Sequence, residues 1–288
     1  MQTMGPKQLS LAMAGLDLGA IGLAVPGTRG SRSRTGLDGA SMLKALVGRA
    51  RALGFEALQI DGSMAGLRAR ELDRSARRDM AALLRRSELA CSGVDLVIPA
   101  EHVLRTANVD RAVSSTLEAI GLAADLGSLA RGSVAARASA SDVSVSMTLP
   151  EKLPADVLST IESACQARGV RVGDHAFPVR AAADGTPSIG VGIDPAAVLG
   201  AGQDPAAVVA GLGGRLVSAR LSDISKSLAG VRVAPGSGSG RLDLLGYQVG
   251  LHAARYGGKV VMDLRAVGDQ ARAIESAVRA WGAAASRT

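Results

Sequence analysis

Short apolar runs alternate along this chain with longer stretches whose apolar positions recur every three or four residues. The short runs suit buried strands, and the wider spacing suits helices with one packed face. Strands are expected at residues 9–16, 57–60, 94–98, 170–172, 189–193, 216–221 and 259–264. Segments 133–138 and 143–148 compete for the fourth strand. A helix over 41–53 would bury Leu43, Leu46, Val47 and Ala50, with Gly54 just past its end. Residues 71–89 place Leu72, Ala76, Met80, Leu83 and Leu84 on one side, and 109–126 carry a stripe of Val113, Leu117, Ile120 and Ala124. Residues 154–168 have Pro154 near the first turn, Val157, Leu158, Ile161 and Cys165 facing inward, and Gly169 after the end. Asp204-Pro205 opens a short helix to Leu212, and 242–256 and 270–281 are the last two helices.

Eight strand–helix units of about 36 residues each fit an α/β (β/α)8 TIM barrel. A doubly wound sheet holds similar elements, but no G-x-G-x-x-G follows the first strand. No Pro-, Ser- or Gly-rich linker divides the chain, so residues 1–288 are expected to form one domain. The richest loop, 235–240, falls between the seventh strand and the next helix. Functional residues in such a barrel gather at the C-terminal ends of the strands. Residues 11–25 are apolar except for Asp17 and follow Lys7, which is the polarity of a secretory signal. The buried acid argues instead for a first strand and its loop. No apolar run reaches membrane-spanning length, and a cytoplasmic location is expected.

Composition narrows the chemistry. Hydrophobic residues make up 47% and charged residues 20%, which excludes a disordered chain. Two cysteines, Cys91 and Cys165, exclude a disulfide scaffold or a Cys-rich zinc module, and their apolar surroundings predict buried thiols. The aromatics are only Trp281, Tyr247, Tyr256, Phe55 and Phe177, so the core is aliphatic and no stacking platform for single-stranded nucleic acid is present. The net charge is +7, yet only Lys7, Lys44, Lys152, Lys226 and Lys259 are lysine. Arginine with abundant Ala and Gly reflects coding composition, and the cations are mixed with acids, as over 68–74. The one basic run, residues 29–34, reads as a solvated loop or a polyanion contact. Three histidines, His102, His175 and His252, do not supply the His-rich multi-metal site of a DNA-repair barrel. The expected partner is a small polar molecule, with no nucleic acid and no membrane, and a homo-oligomer is compatible with the sequence.

Several segments together resemble the sugar phosphate isomerase/epimerase family, with its xylose isomerase-like barrel. ARALGFEALQID at 50–61 is similar to its first helix running through a turn into strand two, and AIGLAADLG at 119–127 to its helix before strand four. Ile193-Asp194-Pro195 resembles its strand-six end, LVSARLSD at 216–223 its strand seven, and 235–243 its glycine-rich loop. The resemblance implies a divalent metal (Mn²⁺ or Mg²⁺) held by Glu, Asp, His and Glu at the ends of strands five to eight. Here the matching positions are Asp174, Asp194, Arg220 and Asp263. Asp174, Asp194 and Asp263 are the metal candidates. Asp174 and Asp263 would also be the catalytic pair that moves a proton beside a carbonyl. Arg220 departs from the pattern: a guanidinium has no lone pair for a cation and repels it.

Two functions therefore stand side by side. One is a sugar or sugar-phosphate isomerase/epimerase. The other is a non-catalytic barrel, a subunit or small-molecule-binding module, whose metal site has become an Arg–Asp cluster. Asp61, Glu101, His102, His175 and Arg220 are the substrate-binding candidates. Each has a plainer reading: Asp61 as a turn cap, Glu101 and His102 as an exposed pair, His175 as a hydrogen-bonded structural group. His252 reads as structural. The 236–240 loop could offer N–H groups to a phosphate or be a simple flexible connection.

Overall fold

A computed structural model describes residues 9–17, 39–131, 143–180 and 188–287. Eight parallel strands close into a barrel: β1 (Leu9–Ala12), β2 (Ala57–Asp61), β3 (Ala90–Asp95), β4 (Ser144–Met147), β5 (Arg171–Asp174), β6 (Ile189–Ile193), β7 (Leu216–Leu221) and β10 (Val260–Met262). They neighbour one another in chain order, and β10 closes on β1 with Leu9 opposite Val260. Two further short strands, β8 (Asp223–Ile224) and β9 (Arg232–Val233), form an antiparallel hairpin between β7 and the next helix. Around the barrel lie α1 (Gly39–Ala52), α2 (Arg74–Arg86), α3 (Ala100–Leu104), α4 (Thr106–Arg131), α5 (Ala155–Arg168), α6 (Pro195–Gly200), α7 (Pro205–Ala210), α8 (Leu244–Ala253) and α9 (Gln270–Ala285). Among the described residues no helix stands between β5 and β6.

The strands alternate with a consistent meaning. Leu11, Leu58, Ile60, Val94, Val145, Val172, Ile193, Ala219 and Leu221 are buried and join the aliphatic shell between barrel and helices. The residues between them are small or polar and meet inside the barrel. Ser10 on β1 bonds Ser92 on β3 at 2.6 Å, and Ser146 on β4 bonds Ser218 on β7 at 2.9 Å. Those strands are not neighbours, so both bonds cross the lumen. Barrel interiors of this type are usually filled by branched aliphatic side chains. This one is lined by serine and glycine at the middle layers, which leaves room for larger charged groups above.

Local chemistry sets the element ends. Asp73, Asp194, Asp204, Asp243 and Asp269 each cap a helix by accepting a backbone N–H of its first turn. The Asp73 cap starts α2 at Arg74 rather than at residue 71, and residues 69–71 form a 3₁₀ turn instead. The third strand is displaced from the expected 94–98 to Ala90–Asp95. Its apolar run continues past the barrel, so hydrophobicity marked the loop while the Cys91–Asp95 alternation marked the strand. The fourth strand is the 143–148 candidate; its competitor at 133–138 lies outside the described residues, as does the basic run at 29–34. Residues 9–12 form the first strand, and most of the apolar stretch beyond residue 17 is likewise outside the described residues. The hairpin and α6 have no counterpart in the hydrophobic pattern. Gly54 sits just past α1 with φ +86°, the left-handed end expected there.

Gly93 shows where the barrel needs a missing side chain. A Cβ there would lie 2.6 Å from the backbone oxygen of Ser144 on the adjacent strand, which cannot move without breaking the ladder. Gly93→Ala should therefore lower stability by about 1–3 kcal/mol, the usual range for overpacking. Chemical denaturation checks this; an unchanged midpoint would show that β3 and β4 separate more easily than the barrel geometry implies.

Candidate functional site

The C-terminal ends of β3, β6, β7 and β10 deliver four charged side chains to one place. Asp95, Asp194 and Asp263 are buried, and Arg220 stands among them. Arg220 Nη2 donates to Asp95 Oδ1 at 2.8 Å, while its Nε lies 3.6 Å from Asp263 Oδ2 and its Nη1 3.8 Å from Asp194 Oδ2. Tyr247 on α8, fully buried, donates its hydroxyl to the Arg220 carbonyl at 2.9 Å and so fixes the strand from outside.

Two more arginines complete the charge balance. Arg265, just beyond β10, donates Nε and Nη2 to Asp263 and Nη1 to Asp95 at 3.2 Å. Arg232 reaches in from the β8–β9 hairpin, its Nη2 on Asp194 and its Nη1 3.5 Å from Asp263. Three carboxylates thus face three guanidinium groups. Burial by itself would raise the Asp263 carboxyl. The hydrogen bonds from Arg265 and the charges of Arg220, Arg265 and Arg232 outweigh it and hold the group below the ordinary carboxylate range. For Arg265, burial disfavours the charge, but the Asp263 hydrogen bond and the nearby carboxylates outweigh it and raise its pKa.

The hairpin that carries Arg232 is itself fastened by a buried acid. Asp223 Oδ1 accepts the backbone N–H groups of Ile224, Arg241 and Leu242. Gly240 passes against the same carboxylate, where a Cβ would come within 1.9 Å of an oxygen. At Asp194 the other carboxylate oxygen accepts from Ala196 N and from the Ser222 hydroxyl, so α6 and the end of β7 are tied to the same group.

Asp174 ends β5 but does not enter this cluster. Its carboxylate accepts from Leu149 N and Ala176 N and lies 2.8 Å from Arg180 Nε. Arg180 also donates to the carbonyls of Leu149 and Pro150. Asp61, half-buried at the end of β2, accepts from Ser63 N. Burial, with the Asp95 charge, raises its carboxyl above the ordinary value despite the opposing Ser63 bond and Arg265 charge. Glu101 and His102 are exposed on α3, outside the cluster. His252 is exposed on α8. Cys91 and Cys165 are buried thiols, each pushed up to about 12 by burial.

His175 lies one residue past β5, with its ring against Gly192, where any Cβ would fall 2.4–2.6 Å from ring atoms. Its Nε2 is 3.2 Å from Ser218 Oγ, and its Nδ1 is buried without a protein hydrogen-bond partner. Burial, then the charges of Arg220 and Arg265, drive its pKa well below 6.5, so the ring is neutral in the folded protein.

Of the residues singled out from sequence, Asp194, Arg220 and Asp263 meet directly, and His175 lies within the field of Arg220. Asp95, Arg232, Arg265 and Arg180 were not singled out. Asp95 was hidden by placing the third strand too late. Arg265, two residues after Asp263, could have been found by asking which side chain neutralises a buried acid. Arg232 has no sequence signal, because a non-periodic loop brings it in.

A divalent ion does not fit the donor set. Among the described residues no group of three or more His, Cys, Asp or Glu side chains is arranged to hold one. The carboxylates that converge are already bridged by guanidinium nitrogens, and Arg220 contributes positive charge in place of a lone pair.

The fold is a closed eight-strand parallel barrel surrounded by helices, with an acidic and basic cluster at the strand ends. The sequence matches no protein-family model and no curated protein. Solved structures share the fold. A xylose isomerase domain protein from Alicyclobacillus acidocaldarius is 18% identical, with a TM-score of 0.63 over 97% of this chain and 99% of that one. The IolI protein, solved with a bound zinc atom, is 12% identical at a TM-score of 0.63, covering 97% and 98%. An L-ribulose 3-epimerase is 13% identical at a TM-score of 0.61, covering 98% and 96%. At such identities the likeness establishes the fold.

The His175 environment makes a pH prediction. The unfolded ring takes up a proton near pH 6.5, whereas the folded ring stays neutral to lower pH. Its depressed pKa therefore contributes stability present above about pH 6.5 and lost progressively as pH falls toward the folded value. The loss should approach about 1.4 kcal/mol per pH unit from this group alone. Denaturation of the parent and of His175→Gln between pH 7.5 and about 5 checks it. The variant should show the shallower slope; equal slopes would mean that the folded ring protonates as freely as the unfolded one.

Proposed function

We propose that this chain is a metal-independent barrel that binds a small polar molecule, sugar-like in character, at the C-terminal ends of its strands. The observation that carries this reading is the Arg220 guanidinium standing among Asp95, Asp194 and Asp263. Three buried carboxylates repel one another unless a cation lies between them. A divalent ion and a guanidinium meet that need in different ways, and here the guanidinium holds the place. The sugar-like ligand is supported by a shared fold with an L-ribulose 3-epimerase and by a polar rim that includes Asp61.

Proton transfer by Asp174 and Asp263 is the less favoured reading. Asp263 is held ionised by Arg265 and its side chain is sealed from solvent, so it is a weak base with no free approach. Asp174 has one oxygen on two backbone N–H groups and the other beside Arg180. Asp263 thus lacks the raised, accessible carboxyl suited to general acid–base work near neutrality, and both oxygens of Asp174 are already engaged. Incubation with ketose sugars in D₂O should therefore leave their carbon-bound hydrogens unexchanged by NMR. Exchange abolished by Asp263→Asn would restore the isomerase reading.

Titration calorimetry tests the metal directly. The parent should bind Mn²⁺ weakly or not at all, and Arg220→His should create or strengthen binding because acidic groups then surround a lone-pair donor. Tight Mn²⁺ binding by the parent, lost in Asp194→Asn, would overturn the reading. Arg220→Ala should destabilise the fold by about 2–5 kcal/mol, the range for breaking a buried charge network, and Arg220→Lys should recover only part. A melting temperature for Arg220→Ala equal to the parent's would show that the arginine serves a ligand and not the fold.

A further inference from the structure

Inside the barrel, beneath the charge cluster, four polar side chains join hands from β2 to the residue after β5. Gln59 Nε2 lies 3.0 Å from Ser146 Oγ, Ser146 Oγ is 2.9 Å from Ser218 Oγ, and Ser218 Oγ is 3.2 Å from His175 Nε2. The Gln59 amide donates to Ser146. If each hydroxyl then passes its own hydrogen along the chain, Ser146 donates to Ser218 and Ser218 donates to His175 Nε2. An imidazole nitrogen that accepts carries no hydrogen, so the neutral ring must bear its proton on Nδ1.

Nδ1 is buried, and no protein group hydrogen-bonds it. The residue as a whole is only 6% exposed. Its ring cannot swing away easily, because Gly192 receives one edge and the Ser218 bond holds Nε2. Arg232 Nη1, at the cluster above, is a second buried donor nitrogen with no hydrogen-bond partner, 3.5 Å from Asp263. A buried donor left unmet is costly, and native proteins keep few of them without a use. Both nitrogens lack a hydrogen-bond partner, and with the charges of Arg220 and Arg265 acting on the ring an anionic oxygen is the acceptor that suits His175.

We propose that His175, held as the Nδ1–H tautomer by the Gln59–Ser146–Ser218 chain, is the hydrogen-bond donor for an anionic oxygen of the bound molecule, so that the ligand is a small polyhydroxylated acid rather than a neutral sugar. This rests on the ligand-binding reading above and sharpens it. The neutral imidazole does what a cation would do at less cost beside the arginines: it presents a donor without adding another positive charge. Such a donor polarises a ligand oxygen by hydrogen bonding, in a site where a guanidinium replaces the metal.

The test uses the full chain labelled with ¹⁵N at histidine. Long-range proton–nitrogen correlation spectra report which ring nitrogen carries hydrogen, and the expected result is Nδ1–H at His175. Gluconate, inorganic phosphate and glucose are then titrated separately. Gluconate should shift the His175 Nδ1 resonance and glucose should not; a response to phosphate alone would assign the anionic oxygen to a phosphate ester instead of a carboxylate. His175→Phe should weaken binding of the responding anion by at least about tenfold, as expected when a charged hydrogen bond is lost. Gly192→Ala, which crowds the ring without removing it, should weaken it in the same direction. An Nε2–H tautomer, as a reversed Gln59 amide would impose, overturns the proposal. So does an Nδ1 resonance unmoved by both anions, or anion binding untouched in His175→Phe. Failure of the underlying reading looks different: tight Mn²⁺ binding at Asp194 and Asp263 would sink it while leaving the His175 tautomer as found.

Discussion

The buried contact between Arg220 and three carboxylates is the constraint around which the upper half of the barrel is arranged. Asp95 ends β3, Asp194 and Asp263 directly follow β6 and β10, and Arg220 lies on β7. Ionised carboxylates at this depth are tolerable only if each finds a cation and its remaining oxygens find donors. Arg220 serves all three but bonds closely to only one, so Arg265 and Arg232 supply what it does not reach. Removing the central guanidinium would leave buried carboxylates facing one another without the cation that lies between them.

The arrangement also accounts for features that otherwise look unrelated. The β8–β9 hairpin brings Arg232 over the strand ends, and Asp223 anchors it through three backbone N–H groups. For Asp223, burial raises the carboxyl despite those bonds. Asp194 does double work: one oxygen caps α6, the other pairs with Arg232. The small residues of the middle layer, Ser146, Gly173, Gly192 and Ser218, make space for the His175 ring and for the arginine above it.

Much of the barrel was legible in the chain itself. Strand and helix periodicities fixed eight units and a closed α/β architecture, because a strand covered by helices must carry apolar residues toward them and a helix must present one apolar face. Asp194, Arg220 and Asp263 were found through the resemblance of their segments to a known barrel family, and the hydrophobic pattern alone does not mark them. What periodicity could not mark was the third strand's true end at Asp95, where Leu96, Val97 and Ile98 prolonged the apolar signal beyond the sheet.

Partnership was decided only in three dimensions. Sequence placed an arginine among acids but could not say which acids it meets: Asp174, nearest in pattern, pairs with Arg180, while Asp95, 125 residues away in the chain, accepts the closest bond from Arg220. Arg232 arrives from a loop with no period to read, and the Gln59–Ser146–Ser218–His175 chain joins strands that are not neighbours. Local pattern is set by which side of an element must be dry, and that is written residue by residue. The pairing of buried charges depends on how the strands are staggered around a closed barrel, a property of the whole sheet that no single segment carries.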